Sequence, residues 1–307
     1  MSNHSALDFK GVDKIYETKS GSICALSDFI LSVRQGQIFG FAGPNGAGKS
    51  TAIKILVGLL RPSAGSAELF THPVGTREAK KLLGFLPEVT LYHEFMNATE
   101  LLDIHATLAG ISRVHRPKKC LEALERVGLA DRRKSKLKEF SKGMKQRFGI
   151  AQALVGNPKL LVLDELTSGL DPQAQVSLLD LLKSLKEQGL TIFFSSHHLR
   201  EIEKICDSVA IIHKGVLRCQ GTLREVLGEE NQIALKVRFL DSTPIPGDSH
   251  QWVPNSDGTF STHLTAEESP ALLAAVGGSG HQVVSLESGR RSLEDLFLEF
   301  TSNEVAA

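Results

Sequence analysis

The sequence predicts an α/β protein built on a mostly parallel sheet, with a helical segment inserted into the sheet domain and a small α/β appendage at the C-terminal end. Three observations carry this. Short apolar runs bounded by Gly, Pro or Asp alternate with stretches of helical periodicity, the pattern of strands buried on both faces. One such run leads straight into a glycine-rich segment and then a helix. Near residue 230 the pattern turns to period-two alternation and the charge turns with it. Residues 231–307 hold 4 basic and 10 acidic side chains, against 31 and 25 in the residues before them. The expected domains are residues 1–228, with the helical insert at about 91–156, and residues 229–307, an accessory or regulatory appendage.

Taken in order, residues 36–42 are apolar and aromatic and close on Gly43-Pro44, which reads as a short buried strand. Ala52, Ile53, Ile55, Leu56, Leu59 and Leu60 then recur at helical spacing until Arg61-Pro62 ends the helix. Three helices are expected between Thr99 and Gly156. One is headed by Thr99, one starts at Pro117 and closes at Gly128, and one starts near Ser141 and runs through Leu154. The same region carries Arg132, Arg133, Lys134, Lys136 and Lys138 within seven residues, a solvated face first and a partner surface second. Strands return at residues 159–163, 191–195 and 209–212, and an amphipathic helix is expected from Val176 to Leu185. In the last segment Ile233, Leu235, Val237 and Phe239 alternate with more polar residues. Residues 260–264 and 282–286 read as two more strands, and Ser269-Pro270 and Ser292 as starts of short helices.

An apolar fraction of 41% against 23% charged excludes disorder as the main state. No apolar run approaches the roughly 18–20 residues of a membrane-spanning helix, and the N-terminal residues lack a signal peptide's apolar core. The expectation is a soluble chain that begins in the cytoplasm. Cys24, Cys120, Cys206 and Cys219 form no CxxC pair, which argues for reduced, structural thiols. The basic excess of the first 230 residues suits an anionic ligand or a membrane surface, and equally a solvated surface with no partner.

The strongest chemical signal is Gly43-Pro44-Asn45-Gly46-Ala47-Gly48-Lys49-Ser50, followed by Thr51, which fits G-x-x-x-x-G-K-[ST]. A polyphosphate concentrates negative charge. Glycines let backbone N–H groups wrap it, and the following helix adds its positive end. Lys49 reaches the terminal phosphates and the Ser50 hydroxyl ligates Mg²⁺. The second signal is Leu160-Leu161-Val162-Leu163-Asp164-Glu165, an apolar strand that delivers two carboxylates to the sheet edge where ligands bind. Asp164 would hold Mg²⁺, directly or through water, and Glu165 would accept a proton from attacking water.

With these residues and others in the same order, the chain resembles the ATP-binding subunit of an ABC transporter, a P-loop NTPase fold, over about residues 5–225. The resemblance implies that Tyr16 stacks on adenine and that Glu88 lies at the lid between sheet and helical region, near nucleotide and Mg²⁺. Ser141-Lys142-Gly143-Met144 looks like the family signature, with Ser141 and Gly143 meeting the γ-phosphate of an ATP bound by a partner subunit, at a helix beginning around Gly143. Ser168-Gly169-Leu170-Asp171 looks like the segment that crosses to that partner, and His197 like the residue that touches the γ-phosphate. Glu165 and His197 would then be catalytic, with ATP and Mg²⁺ as cofactors and a homodimer or paralogous pair sandwiching two ATP.

Two positions depart from the family pattern. Lys142 replaces the first signature glycine, and is expected to point to solvent rather than to a phosphate. Leu166 stands where Pro usually follows Glu165. The Glu88 variant, the signature and the C-terminal tail resemble exporter subunits. The resemblance therefore implies an ATPase at the cytoplasmic face of the membrane, held there through a separate permease and contacting it with residues around 91–110. A soluble ABC ATPase acting on ribosomes or nucleic acid is the alternative. A single phosphate-binding loop and no sustained heptads argue against it, so no nucleic acid is expected. A binding module without turnover is disfavoured by the presence of both Glu165 and His197.

Overall fold

A computed structural model describes residues 5–19, 21–228, 232–240, 245, 249–265, 267–288 and 292–302. Arg290 and Arg291, two of the four basic residues of the C-terminal segment, lie outside them. The chain forms two compact units, Met1–Gln220 and Gly221–Ala307.

The first unit opens with two long strands, β1 (Ser5–Thr18) and β2 (Gly21–Arg34), then β3 (Ile38–Ala42) and α1 (Lys49–Leu56). There follow β4 (Ala64–Leu69), β5 (His72–Pro73), α2 (Arg77–Lys81) and β6 (Leu83–Leu86). The helical segment holds α3 (Ala98–Leu108), α4 (Arg116–Arg126) and α5 (Lys142–Leu154). The unit closes with β7 (Leu160–Asp164), α6 (Pro172–Glu187), β8 (Thr191–Ser196), α7 (Leu199–Ile205), β9 (Ser208–His213) and β10 (Val216–Thr222).

Six strands form the main sheet in the order β10-β9-β3-β8-β7-β6, and the pairs β9/β3, β3/β8, β8/β7 and β7/β6 are parallel. Every residue of β3, β8 and β9 is buried, as the unbroken apolar runs require of strands covered on both faces. Phe39 stacks on Phe193 and Phe41 leans against the same ring. Gly40 is required at this centre, because a Cβ there would lie 2.4 Å from Cγ2 of Ile202 on α7. β3, β7 and β8 thus end side by side, and their C-terminal edge carries the residues that follow them: the phosphate loop, Glu165 and His197.

A second sheet, antiparallel and ordered β2-β1-β4-β5, packs Phe9, Phe29 and Leu31 into the same core as Phe41 and Ile53. The sequence reading does not anticipate it as a separate layer. Four register shifts along β1/β2 break the period-two alternation that would have marked both strands.

Helix starts differ modestly from expectation. Asn97, not Thr99, caps α3 through a reciprocal pair with Glu100. Asp171 and Pro172 start α6 four residues before Val176. α5 begins at Lys142, one residue before Gly143. Among the described residues no helix is long and apolar enough to cross a membrane.

The second unit holds α8 (Leu223–Leu227), β11 (Gln232–Arg238), β12 (Val253–Pro254), β13 (Phe260–Thr265), α9 (Ser269–Gly278), β14 (Gln282–Ser288) and α10 (Leu293–Ser302). Its sheet runs β12-β13-β11-β14, with β11 antiparallel to both neighbours. Leu235, Val237 and Leu264 form its core with Leu272 and Val276 of α9.

Candidate nucleotide site

The loop after β3 turns through Gly46 and Gly48 at φ +80° and +110° and enters α1 with Gly48 as its N-cap. Neither glycine is replaceable without strain, and a Cβ on Gly48 would meet the Ala25 carbonyl at 2.7 Å. Gly43 is packed as tightly, since a Cβ there would lie 2.5 Å from the Ile212 carbonyl. The backbone is therefore fixed from below where it enters the helix, whose first N–H groups have no partner within the helix.

Pro44, Asn45, Gly46, Gly48, Lys49, Ser50 and Thr51 line a cavity of about 240 Å³, closed on its other sides by Ala25, Glu88, Glu165 and His197. Lys49 is only 6% exposed. Its ammonium donates to the carbonyls of Gly43 (2.6 Å) and Pro44 (3.4 Å) and lies 3.5 Å from Glu165 Oε1. Glu165 is 8% exposed, and its other oxygen, Oε2, is 2.6 Å from His197 Nδ1 and accepts the His197 backbone N–H at 3.3 Å. One carboxylate thus bridges the loop lysine and the histidine at the end of β8.

Glu165 occupies the left-handed region at φ +49°, a conformation that costs a non-glycine residue on the order of 1–3 kcal/mol. Ser195 helps to hold it there. Its carbonyl and its Oγ both accept the Glu165 N–H, at 3.1 and 3.2 Å, and the same Oγ donates to Asp164 Oδ1 at 2.6 Å. Burial pushes the Asp164 carboxyl up from its ordinary range. The Ser195 bond pulls it down, the Glu165 charge pushes it further up, and Lys49 pulls it down again. A partly buried carboxylate of this kind is a group whose charge a cation would favour.

The remaining expected residues lie apart from these. Tyr16 is half-buried near the end of β1, its hydroxyl 3.4 Å from Thr51 Oγ1 and the Lys14 ammonium 5.3 Å from its ring centre. Ser141, Gly143 and Asp171 do not line the cavity. Ser141 is exposed and caps α5, its Oγ accepting the Met144 N–H at 3.2 Å. Gly143 lies against Ala174 of α6, where an added Cβ would be in ordinary contact at 3.4 Å. Asp171 caps α6 through the Ala174 N–H at 2.8 Å. Lys142 is exposed, as expected, and does not line the cavity; its ammonium lies over Gly169.

A family model described as ABC transporter matches residues 26–168. An ABC transporter ATP-binding protein of Synechocystis, sll0415, is 37% identical over 94% of this chain and 82% of its own length. The bacitracin transport ATP-binding protein BcrA of Bacillus licheniformis is 36% identical, over 91% of this chain and 93% of its own length. This chain belongs to the ABC transporter ATP-binding proteins.

Another relative of this ABC subunit is an importer by name. The methionine import ATP-binding protein MetN of Geobacillus kaustophilus is 35% identical over 83% of this chain and 77% of its own length. Among solved structures, the post-hydrolysis dimer of the ATP-binding cassette MJ0796 with ADP and Pi superposes with a TM-score of 0.63 at 25% identity, over 71% of this chain and 99% of that one. The protein is accordingly an ATP-binding, ATP-hydrolysing subunit. Subunits of this family pair with a transmembrane permease and dimerise.

Sequence reasoning missed three contributors. Ala25 closes the cavity from β2, and nothing in its own neighbourhood marks it. Ser195 was read only as part of the strand end, although a hydroxyl beside two carboxylates is a ready donor. Glu201 is buried and accepts from Thr167 Oγ1 (2.6 Å) and Ser196 Oγ (3.1 Å), joining the turn after Glu165 to the end of β8. Its place four residues after His197 was the available signal.

Proposed function

We propose that this subunit powers an exporter. Two copies close on two ATP molecules, each held between the phosphate loop of one copy and Ser141 and Gly143 of the other. Closure then drives a separately encoded permease at the cytoplasmic face of the membrane. The observation that supports this most is the Lys49–Glu165–His197 bridge at the phosphate loop, opposite in character to an exposed, capped signature helix. Ser141 already satisfies Met144 with its oxygen, so its hydroxyl proton and the positive end of α5 are what it offers an anion.

Within the site, Lys49 neutralises the terminal phosphates, and Tyr16, beside Thr51, stacks on the base. Ser50, Asp164 and Glu88 are the oxygen donors suited to Mg²⁺, which supplies charge neutralisation on the phosphates when bound. Asp164, its carboxylate burdened by burial, fits that role. Glu165 accepts the proton of the attacking water. It also fixes the His197 ring through Nδ1, leaving Nε2 to meet the γ-phosphate. Phosphoryl transfer asks for positioning and charge neutralisation more than covalent chemistry, and these residues supply both.

Export is supported by the likeness to BcrA, named for bacitracin transport, although MetN, an importer by name, is also similar. The permease fits a groove of about 900 Å³ whose walls include Leu86, Pro87, Thr90, His105 and the 79% exposed Leu108. The deciding experiment pairs ATP turnover of Glu165→Gln with mild affinity purification from detergent-solubilised membranes. A collapse of turnover with ATP binding intact, and a stoichiometric polytopic protein in the eluate, is the expected result. Equal rates in the two proteins would sink the assignment of Glu165. Recovery with ribosomes instead of a membrane protein would sink the transporter role.

A further inference from the structure

Between α3 and α4 lies a cleft of about 670 Å³ that plays no part in the nucleotide site. Its apolar side is Pro117, Cys120, Leu121 and Leu124 of α4, and its far rim is Arg133 and Lys134. Two acids also face it, but both are engaged. Glu100 accepts the Asn97 N–H at 2.9 Å in the cap of α3, and Asp103 is 3.3 Å from the Arg116 guanidinium. Arg133 and Lys134 are exposed and enter no ion pair among the described residues.

The rim continues as a surface. Residues 94–98 and 133–138 are stitched together by backbone bonds from Ala98 to Ser135, Leu137 to Met96 and Lys138 to Glu94, and the buried Leu137 anchors the seam. On this frame Lys136 and Lys138 are exposed, and Lys138 lies 6.0 Å over the ring of Phe95, which is itself 81% exposed. A free cationic rim, an exposed aromatic ring and an apolar cleft of ligand size occur together.

We propose that this face binds anionic phospholipid. The headgroup phosphate meets Arg133 and Lys134, an acyl chain enters the cleft along Leu121, and Phe95 rests at the headgroup level with Lys136 and Lys138 above the anionic surface. Charge complementarity selects this occupant. The cleft is apolar where a chain would lie and carries unpaired cations where a phosphate would lie. The proposal rests on the transporter reading only for the nearness of a membrane, and its test does not involve ATP.

The full chain is floated with vesicles of phosphatidylcholine alone and of phosphatidylcholine mixed with phosphatidylglycerol. Binding is expected only to the second and is expected to weaken with added salt. Each basic contact is worth about fivefold in partition, so Arg133→Glu with Lys134→Glu is expected to cost more than about tenfold. Basal ATP turnover should be unchanged. Leu121→Gln should weaken binding further without altering its salt dependence. Equal binding to both vesicle types, or no effect of the double reversal, overturns the proposal. Displacement from the vesicles by millimolar inorganic phosphate would show a simple anion site and also overturns it. A loss with the charge reversals but none with Leu121→Gln overturns the acyl-chain assignment. A protein that binds anionic vesicles yet turns over no ATP keeps this proposal and sinks the transporter reading.

Discussion

The two halves of the proposed nucleotide site are built in opposite ways. At the phosphate loop, Lys49 and Glu165 are almost wholly buried and already bonded to each other, to His197 and to loop carbonyls. At the signature, Ser141 and Lys142 are exposed, and the serine accepts the Met144 N–H at its Oγ and the Lys145 N–H at its carbonyl, both from its own helix end. The first half is pre-organised within a single chain, so it can tolerate a strained Glu165 and a burdened Asp164. The second half offers a helix end and a hydroxyl, which do little until another body brings a phosphate to them. A site divided in this way makes assembly part of the chemistry.

That contrast can be broken experimentally. The largest effect is expected from Lys49→Met, which removes the buried cation and leaves Glu165 without it. ATP turnover should fall on the order of a thousandfold, with nucleotide binding lost in a direct titration. His197→Ala should lower turnover on the order of a hundredfold while ATP affinity is nearly unchanged, because the cradle does not depend on it. Equal losses in affinity and rate would mean that the histidine belongs to the binding half.

The signature half is probed by a pair. Ser141→Ala loses the cap, at about 1 kcal/mol of stability, whereas Ser141→Asp keeps the cap and sets a negative charge against the incoming phosphate. If Ser141 is only a cap, Ser141→Asp will turn over ATP normally. The proposed role requires both variants to lose ATP-driven dimerisation, read by light scattering. Leu166→Pro acts within the buried half. The Leu166 side chain is 1% exposed, so its loss should lower stability by about 1–2 kcal/mol in denaturant titration while turnover is kept or raised. A collapse of turnover with ATP binding intact would show that the turn depends on Leu at that position.

The smallest effect is a control in the other unit. The His263 imidazole, 3.6 Å away, above all, with hydrogen bonds from Ser292 adding to it, lowers the Asp295 carboxyl to about 2 against the cost of burial. Its folded value is depressed, so its stabilisation is present above the ordinary carboxylate range and is lost as pH falls towards about 2. Asp295→Asn should flatten that acid limb in thermal melts and leave both halves of the ATP site untouched.

The phosphate loop and the Asp164-Glu165 pair were legible because their chemistry is contiguous in sequence and flanked by the right elements. The parallel sheet was legible from runs such as Leu160-Leu161-Val162-Leu163, which only a doubly covered strand would bury. The antiparallel layer was not, because bulges between β1 and β2 shift the face on which Phe9, Val12 and Leu26 fall. Nor were the groups that hold the site in shape. Ser195 and Glu201 act through neighbours brought close only by the fold, and Glu201 contacts Thr167 across 34 positions of sequence. Lys142 is exposed, as expected; what the sequence did not show is that its ammonium lies over Gly169, 27 positions away.

The ammonium of Lys142 occupies the place where a methyl group on residue 169 would have to go. Nothing in that place is rigid, since the atom there is the tip of a flexible, exposed side chain that can swing away. What resists Gly169→Ala is the backbone, whose φ of +67° lies in the left-handed region. Shortening residue 142 would leave that resistance in place. The turn after Glu165 keeps its glycine for its own conformation, so a different side chain at position 142 should be accepted without a matching change at 169.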